Sequence, residues 1–221
     1  MRMNILVIDD TSNHQQAASQ VLGAEHNLTV VGSYDGALEL LAKKRNEEKY
    51  ESLKAQYKEQ GVEDYYEKAG AESLLPYWDA VLCDLLMPAG RSAQGKEGLK
   101  YVGQEMPVGW SLAITAALRG AKYVAVVTDM NHHHHPASAM LDSMTDTIFD
   151  LHGAKALFTN YVRMVGIEGT QGVCMDCLGT GEKFNGSVTY KCYTCQGTKT
   201  AYSEKGKDWA EILDRLVLSR E

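Results

Sequence analysis

No apolar run in this 221-residue chain approaches the roughly 20 residues a membrane-crossing helix requires. The opening MRMNILVIDD meets two aspartates too soon for the apolar core of a signal peptide, so no leader is expected. Positive charge is scarce: 22 Lys and Arg stand against 29 Asp and Glu, a formal net charge of −7. That argues against a nucleic-acid surface covering the whole protein, while leaving room for a local basic patch. Cysteine is sparse too, with five in all, yet four of them fall within 22 residues as two C-x-x-C pairs. No helix-turn-helix pattern, no recognisable catalytic output domain and no internal repeat beyond those pairs is present. These absences leave a soluble cytoplasmic protein with neither membrane nor nucleic acid among its expected partners.

What is present fits one large α/β domain with an appendage, or two small domains. Strand-like and helix-like segments alternate. NILVI (4–8) is wholly apolar, as a strand covered on both faces should be. SNHQQAASQVLG follows as a helix, with Ser12 or Asn13 as N-cap and Gly23 as its stop. LTVVGS (28–33) is the second strand. From Asp35 to about Leu75 the pattern is helical and highly charged, interrupted at Gly61 and Gly70, which predicts a helix plus a projecting extension. Its charges suit a solvated face or, alternatively, a partner-binding coil. DAVLC (79–83) is the third strand, and the glycine-rich stretch 88–106 reads as a long loop. A helix closed by Gly120, a fourth strand (122–128), a short helix at PASAMLDSM and a fifth strand (154–159) complete the alternation. At the end, Trp209, Ile212, Leu213 and Leu216 fall at helical spacing. Five such units imply a parallel, doubly wound sheet with helices on both faces.

In such a sheet, ligands gather where strands end at their carboxyl edge. Asp9 and Asp10 follow the first strand, Asp84 the third and Thr128 the fourth. Carboxylates drawn together raise one another's pKa unless a cation lies between them, and a hard divalent ion such as Mg²⁺ suits oxygen ligands. The competing reading makes these aspartates helix N-caps at strand-to-helix turns.

ILVIDD, DAVLCDLLMP with its D-x-x-M-P, and VAVVT together resemble the receiver domain of bacterial response regulators over residues 1–160, with the last helix supplied by the C-terminus. The resemblance implies a five-stranded sheet of order 2-1-3-4-5. It implies that Asp84 accepts a phosphoryl group from a histidine kinase. Asp9, Asp10, Asp84 and the backbone carbonyl of Leu86 would hold Mg²⁺, and Thr128 would bond the phosphoryl group. Several positions depart from the pattern. Asn160 stands where the family has a lysine, and Asp129 where it prefers a very small residue. Leu157 takes the place of the aromatic switch residue, with Phe158 one position off and on the opposite face.

CMDCLGTG (174–181) and CYTCQGTK (192–199) are two knuckles 14 residues apart. Four thiolates at Cys174, Cys177, Cys192 and Cys195 would close a tetrahedral structural Zn²⁺ site; the alternative is a redox dithiol. The first knuckle resembles the cysteine-rich repeat of DnaJ-type chaperones, of which this chain has one pair, so a zinc hairpin is implied and chaperone activity is not. EKFNGSVTYK reads as a β-hairpin turning at Asn185-Gly186. The domains expected are therefore 1–168, a ribbon at 169–205, and the last helix at 206–221. Cys83 is expected to be a buried small hydrophobe. The histidine run, His132 to His135, suits a solvated loop or a second metal site, and protonated histidines there could offset the charge of Asp129.

Three functions follow. The first is a phospho-accepting signalling protein that acts through protein contacts, with a histidine kinase or another signalling protein as partner. The second is a pseudo-receiver, an adaptor or assembly component that uses the ribbon for binding. The third, an aspartate-nucleophile phosphohydrolase, is disfavoured because no D-x-D-type second acid neighbours Asp84.

Overall fold

Five apolar segments lie parallel in one sheet: β1 (Asn4–Ile8), β2 (Asn27–Val31), β3 (Ala80–Asp84), β4 (Tyr123–Val127) and, after an intervening strand β5 (Ile148–Leu151), β6 (Ala154–Thr159). The structure is a computed structural model and describes residues 2–42, 45–73, 78–92, 95–131, 133–144 and 147–219. The sheet runs β2-β1-β3-β4-β6-β5, so the expected parallel order is present with a sixth strand at one edge. β5 corrects the all-parallel expectation. It pairs antiparallel with β6 through His152 and Gly153, both at positive φ, as a two-residue type I′ turn requires.

Alternation along the strands builds the core on both faces. Leu6, Ile8, Val81, Cys83, Val124, Val126, Ala156 and Phe158 face one way, toward α2 (Tyr34–Leu41), α5 (Gly109–Leu118) and α6 (Pro136–Met140). Ile5, Val7, Ala80, Leu82, Ala125, Val127 and Leu157 face the other way, toward α1 (Ser12–Leu22) and α7 (Trp209–Leu218). Cys83 is buried within the first cluster, as a small hydrophobe should be. Trp209, Ile212, Leu213 and Leu216 are the buried residues of α7, as their spacing predicts. Helix α1 begins at Ser12 with Thr11 at its N-cap, so neither Ser12 nor Asn13 is the cap.

The charged stretch forms two helices, α3 (Glu47–Glu59) and α4 (Tyr65–Glu72), joined through Gly61 at φ +70. The base of this hairpin is closed by the Asn46 N–H donating to Ser73 O at 3.0 Å. Tyr57 is buried and its hydroxyl donates to Glu72 at 2.6 Å. Leu75 and the neighbouring residues 74–77 lie outside the described residues. Among its described residues the stretch 88–106 is mostly irregular, as expected, with a 3₁₀ turn at Gly98–Tyr101 and a two-residue antiparallel ladder between Met87–Pro88 and Glu105–Met106 that closes the loop. Asp35 at the start of α2 accepts the backbone N–H groups of Arg91 and Ser92 and so anchors that loop.

After β6 the chain enters a long two-stranded arm. β7 (Met164–Gly166) and β8 (Gln171–Val173) run out; β9 (Glu182–Phe184) and β10 (Thr189–Lys191) form the hairpin turning at Asn185-Gly186; β11 (Thr200–Tyr202) and β12 (Lys205–Lys207) run back. β7 pairs with β12 and β8 with β11. Between the two ladders the register slips by two residues, absorbed by a bulge at Glu168 and Gly169, the latter at φ +83. The arm therefore starts beside the fifth parallel strand and returns its last residue, Lys207, to the start of α7.

Candidate functional site

The parallel register aligns Ile8 with Cys83 and Asp84 with Val127, so Asp9, Asp84 and Thr128 arrive at one edge of the sheet. There Asp84 and Thr128 line a cleft of about 350 Å³ together with Asp10, Leu86, His14, Asp129 and Lys205, and Asp9 is buried beside them. Carboxylate oxygens of Asp9, Asp10 and Asp84 lie within 4.8 Å of one another. Asp9 is fully buried and Asp84 nearly so, whereas Asp10 is exposed. The N-cap reading fails: Thr11 is the N-cap of α1 and Val108 that of α5. Asp9 Oδ1 does accept the Thr11 N–H, at 2.9 Å, but its other oxygen has a different partner.

That partner is Lys207. Its side chain is fully buried, and its Nζ donates to Asp9 Oδ2 at 2.8 Å and to Asp84 Oδ1 at 2.7 Å. Asp129 Oδ1 lies 3.6 Å from the same ammonium. Asp84 Oδ1 also accepts the Leu85 N–H at 2.9 Å, so among the described residues the hydrogen bonds of this carboxylate fall on Oδ1 and not on Oδ2. Burial would lower the Lys207 pKa, but the charges of Asp84, Asp9 and Asp129 outweigh it and push it up to about 12.

The carboxylates still exceed the cations. Asp84 is pushed up to about 7, mainly by burial; Asp9 and Asp129 act in the same direction and Lys207 against them. Asp10 is raised by burial and then by Asp9. Asp129 goes the other way. His14 hydrogen-bonds it and Lys207 attracts it, which holds its carboxyl well below the usual range. His14 is itself fixed on both sides: its Nδ1 accepts the Lys207 backbone N–H at 3.3 Å, and its Nε2 lies 3.4 Å from Asp129 Oδ2. Such a cleft can hold an additional cation with oxygen ligands, and it presents one carboxylate oxygen, Asp84 Oδ2, outside the internal hydrogen bonds.

Other expected site residues are placed as follows. Thr128 is buried at the cleft, and its Oγ1 accepts the Met130 N–H at 3.1 Å. Asn160, the residue at the expected lysine position, directs its amide to Asp142 and to Ser138 O, tying the end of β6 to the α6 region; the ammonium bonded to Asp9 and Asp84 is that of Lys207. Leu157 and Phe158 do face opposite ways, and Phe158 stacks edge-on against Trp110 and Phe149. His135 caps α6 by accepting the Ala137 N–H. His132 lies outside the described residues, and among the described residues no histidine joins a cluster of three or more metal-ligating side chains.

Sequence reasoning missed Lys207 and His14. The signal for Lys207 was topological. A last helix packed beside the first helix on a parallel sheet must begin at the carboxyl edge that holds the aspartates, so the residue just before it, in KGKDW, is delivered there.

The four cysteines form a second centre. All are buried and none is in a disulfide. Their sulfurs lie within 4.8 Å of one another, with Cys174–Cys192 at 3.8 Å and Cys177–Cys195 at 3.7 Å. A tetrahedral ion with metal–sulfur bonds of about 2.3 Å has sulfur–sulfur edges of about 3.8 Å, so the set could hold a metal such as zinc. Burial would raise the Cys177 thiol, but the Gly181 N–H and the neighbouring sulfurs reverse this and bring it down to about 6. The two knuckles share one backbone path. Leu178, Gly179 and Gly181 are at positive φ in the first, and Gln196, Gly197 and Lys199 in the second. Lys199 thus adopts, at φ 71, a conformation that the first knuckle gives to glycine.

No helix is long and apolar enough to cross a membrane, among the described residues. Comparison with protein-family models, with curated proteins and with solved structures finds no match.

Proposed function

We propose that this protein is a receiver-like signalling protein that accepts a phosphoryl group on Asp84. The observation that carries the reading is the buried ammonium of Lys207 bridging Asp9 and Asp84 at the carboxyl edge of the sheet. It supplies the positive charge that Asn160 lacks. Asp84 Oδ2 is the nucleophile: its bond to phosphorus forms as the bond from phosphorus to the donor's leaving atom breaks, the ring nitrogen of a phosphohistidine or the carboxyl oxygen of acetyl phosphate. Lys207 holds the other oxygen and fixes the carboxylate's orientation. Asp9, Asp10, Asp84 and the Leu86 carbonyl would hold Mg²⁺, whose charge offsets that of the incoming phosphoryl group. The Thr128 hydroxyl lies in the same cleft, within reach of the loop that leads through Met130 to α6. A structural Zn²⁺ on Cys174, Cys177, Cys192 and Cys195 would close the arm. The donor would be a histidine kinase or another signalling protein, and output would pass through protein contacts.

Asp129 favours a second reading. Its carboxylate stays ionised in the cleft, where it opposes a phosphoryl dianion, as would suit an adaptor that is not phosphorylated. Intact mass after incubation with acetyl phosphate and Mg²⁺, beside an Asp84→Asn control, separates the two. A Mg²⁺-dependent phosphoryl adduct absent from the control is expected. No adduct on folded, zinc-loaded protein would sink the first reading in favour of the second.

A further inference from the structure

The lysine that completes the acidic cleft does not come from the sheet. It comes from the far side of the cysteine arm, and its position depends on how that arm is registered. From Lys199 to Lys207 the return strand runs eight residues, about 26 Å of extended chain. It is tied along its length to the outgoing strand: Cys174 N–H to Lys199 O, Ser203 N–H to Thr170 O, Ile167 N–H to Glu204 O, then the β7–β12 ladder. At one end of this ladder stand the four cysteines. At the other, Lys207 reaches the two buried aspartates.

The lower end is built for one register. Gly206 lies so close to α1 that a Cβ there would sit 2.4 Å from Asn13 O and 2.6 Å from the Ala17 Cβ. Gln20 of α1 clamps the opposite strand, donating to Gly166 O at 3.1 Å and accepting the Glu168 N–H at 3.0 Å. The upper end has few other anchors. Val173, Met175, Leu178 and Tyr193 are exposed, and the buried cluster there consists of the four cysteines with Ala201 packed against them. A two-stranded arm with so small an apolar core is marginal without a crosslink.

We propose that metal held by the four cysteines sets the register of the return strand, and so positions Lys207 between Asp9 and Asp84. This makes the cysteine centre a control point for the acidic cleft. The proposal rests on the zinc assignment and on the reading of the cleft as a cation and phosphoryl site. With metal bound, the ammonium is seated. Without it, the arm frays from the cysteines downward, the ammonium leaves, and the cleft becomes more negative. The two ligands of the cleft then respond in opposite directions: a divalent cation binds more tightly, and a phosphoryl dianion is accepted more slowly. General unfolding would weaken both.

The test uses the full-length protein, zinc-loaded and zinc-depleted, with hydrogen exchange and Mg²⁺ titration as readouts. Depletion is expected to speed exchange at the amides of Ile167, Lys207 and Asp208 by at least tenfold, leaving Leu6, Val81 and Val126 protected. It should also tighten Mg²⁺ binding by roughly tenfold, as Lys207→Met does, with no further gain when the two changes are combined. Unchanged exchange at those three amides after full zinc removal would overturn the proposal. So would equal and additive effects of depletion and Lys207→Met on Mg²⁺ affinity. Should Lys207→Met not fold, the exchange experiment on the unaltered chain still decides. Absence of a phosphoryl adduct on the loaded protein would count against the proposed function alone, since neither readout requires phosphorylation.

Discussion

An ammonium with no solvent exposure persists only with acidic partners around it, and Lys207 has Asp9, Asp84 and Asp129 within 4 Å. Replacing it with Met leaves two buried carboxylates without compensation, at a cost of about 3–5 kcal/mol near neutral pH. Urea denaturation without Mg²⁺ measures that cost, which should shrink on acidification as Asp84 takes up a proton. A loss below about 1 kcal/mol would show that the pair contributes no more than a surface ion pair. The pH dependence has a definite sign. Asp84 is raised from an ordinary value of 3.8 to about 7, so its contribution is fully present below 3.8 and is lost as pH rises through 7. Across that window the slope is about 1.4 kcal/mol per pH unit. Lys207, raised from 10.5 to about 12, adds stability that is lost only as pH rises through that higher range. Between pH 5 and 7, then, the Mg²⁺-free protein should lose stability relative to its Asp84→Asn variant. Parallel stability–pH profiles for the two would return Asp84 to an ordinary carboxyl.

The elements that sequence made legible are those whose burial is symmetrical. NILVI, DAVLC and AKALFT are apolar on both faces because helices cover both, and the structure places them as β1, β3 and β6. The aspartates were legible for the same reason, since a carboxylate directly after such a strand has only the sheet edge to occupy. β5 was not, because a four-residue strand with one covered face reads like the helix–loop pattern around it; only His152-Gly153 marked the turn. β12 was hidden more thoroughly. KGK has no strand pattern, and it is a strand only through a partner about 40 residues away and its packing on α1. The element prediction follows from that packing. Gly206→Ala adds a methyl where the Asn13 carbonyl and Ala17 already stand, so β12 must lift from α1 at a cost of about 1–3 kcal/mol. The Lys207 amide, which donates to His14, should lose exchange protection beyond what that global loss explains. Equal loss of protection at Lys207 and at Leu82 would mean that the substitution acts on the whole fold and not on the strand.

Two insertions interrupt the parallel sheet, and they relate to it differently. The cysteine arm returns a side chain to the cleft, so shortening it changes the site. Among the described residues the α3–α4 hairpin returns nothing there: its bases meet each other at Asn46 and Ser73, its buried tyrosine bonds Glu72 within the hairpin, and Asn46 caps its first helix. An insertion whose ends lie together can be removed with little strain on its host, because closing a short flexible linker between adjacent points costs little entropy. Replacing residues 47–72 with a short Gly/Ser linker is therefore expected to keep the near-ultraviolet dichroism of the core tryptophans. It should change the melting temperature by no more than a few degrees, and it should leave Mg²⁺ affinity at the cleft within about twofold. The same excision made in the arm, between Thr170 and Ser203, should shift Mg²⁺ affinity instead, because the remaining ladder loses its cysteine end. If removing the helical hairpin also altered Mg²⁺ affinity, the separation of the two insertions would fail, and the charged helices would have to be counted as part of the cleft's support.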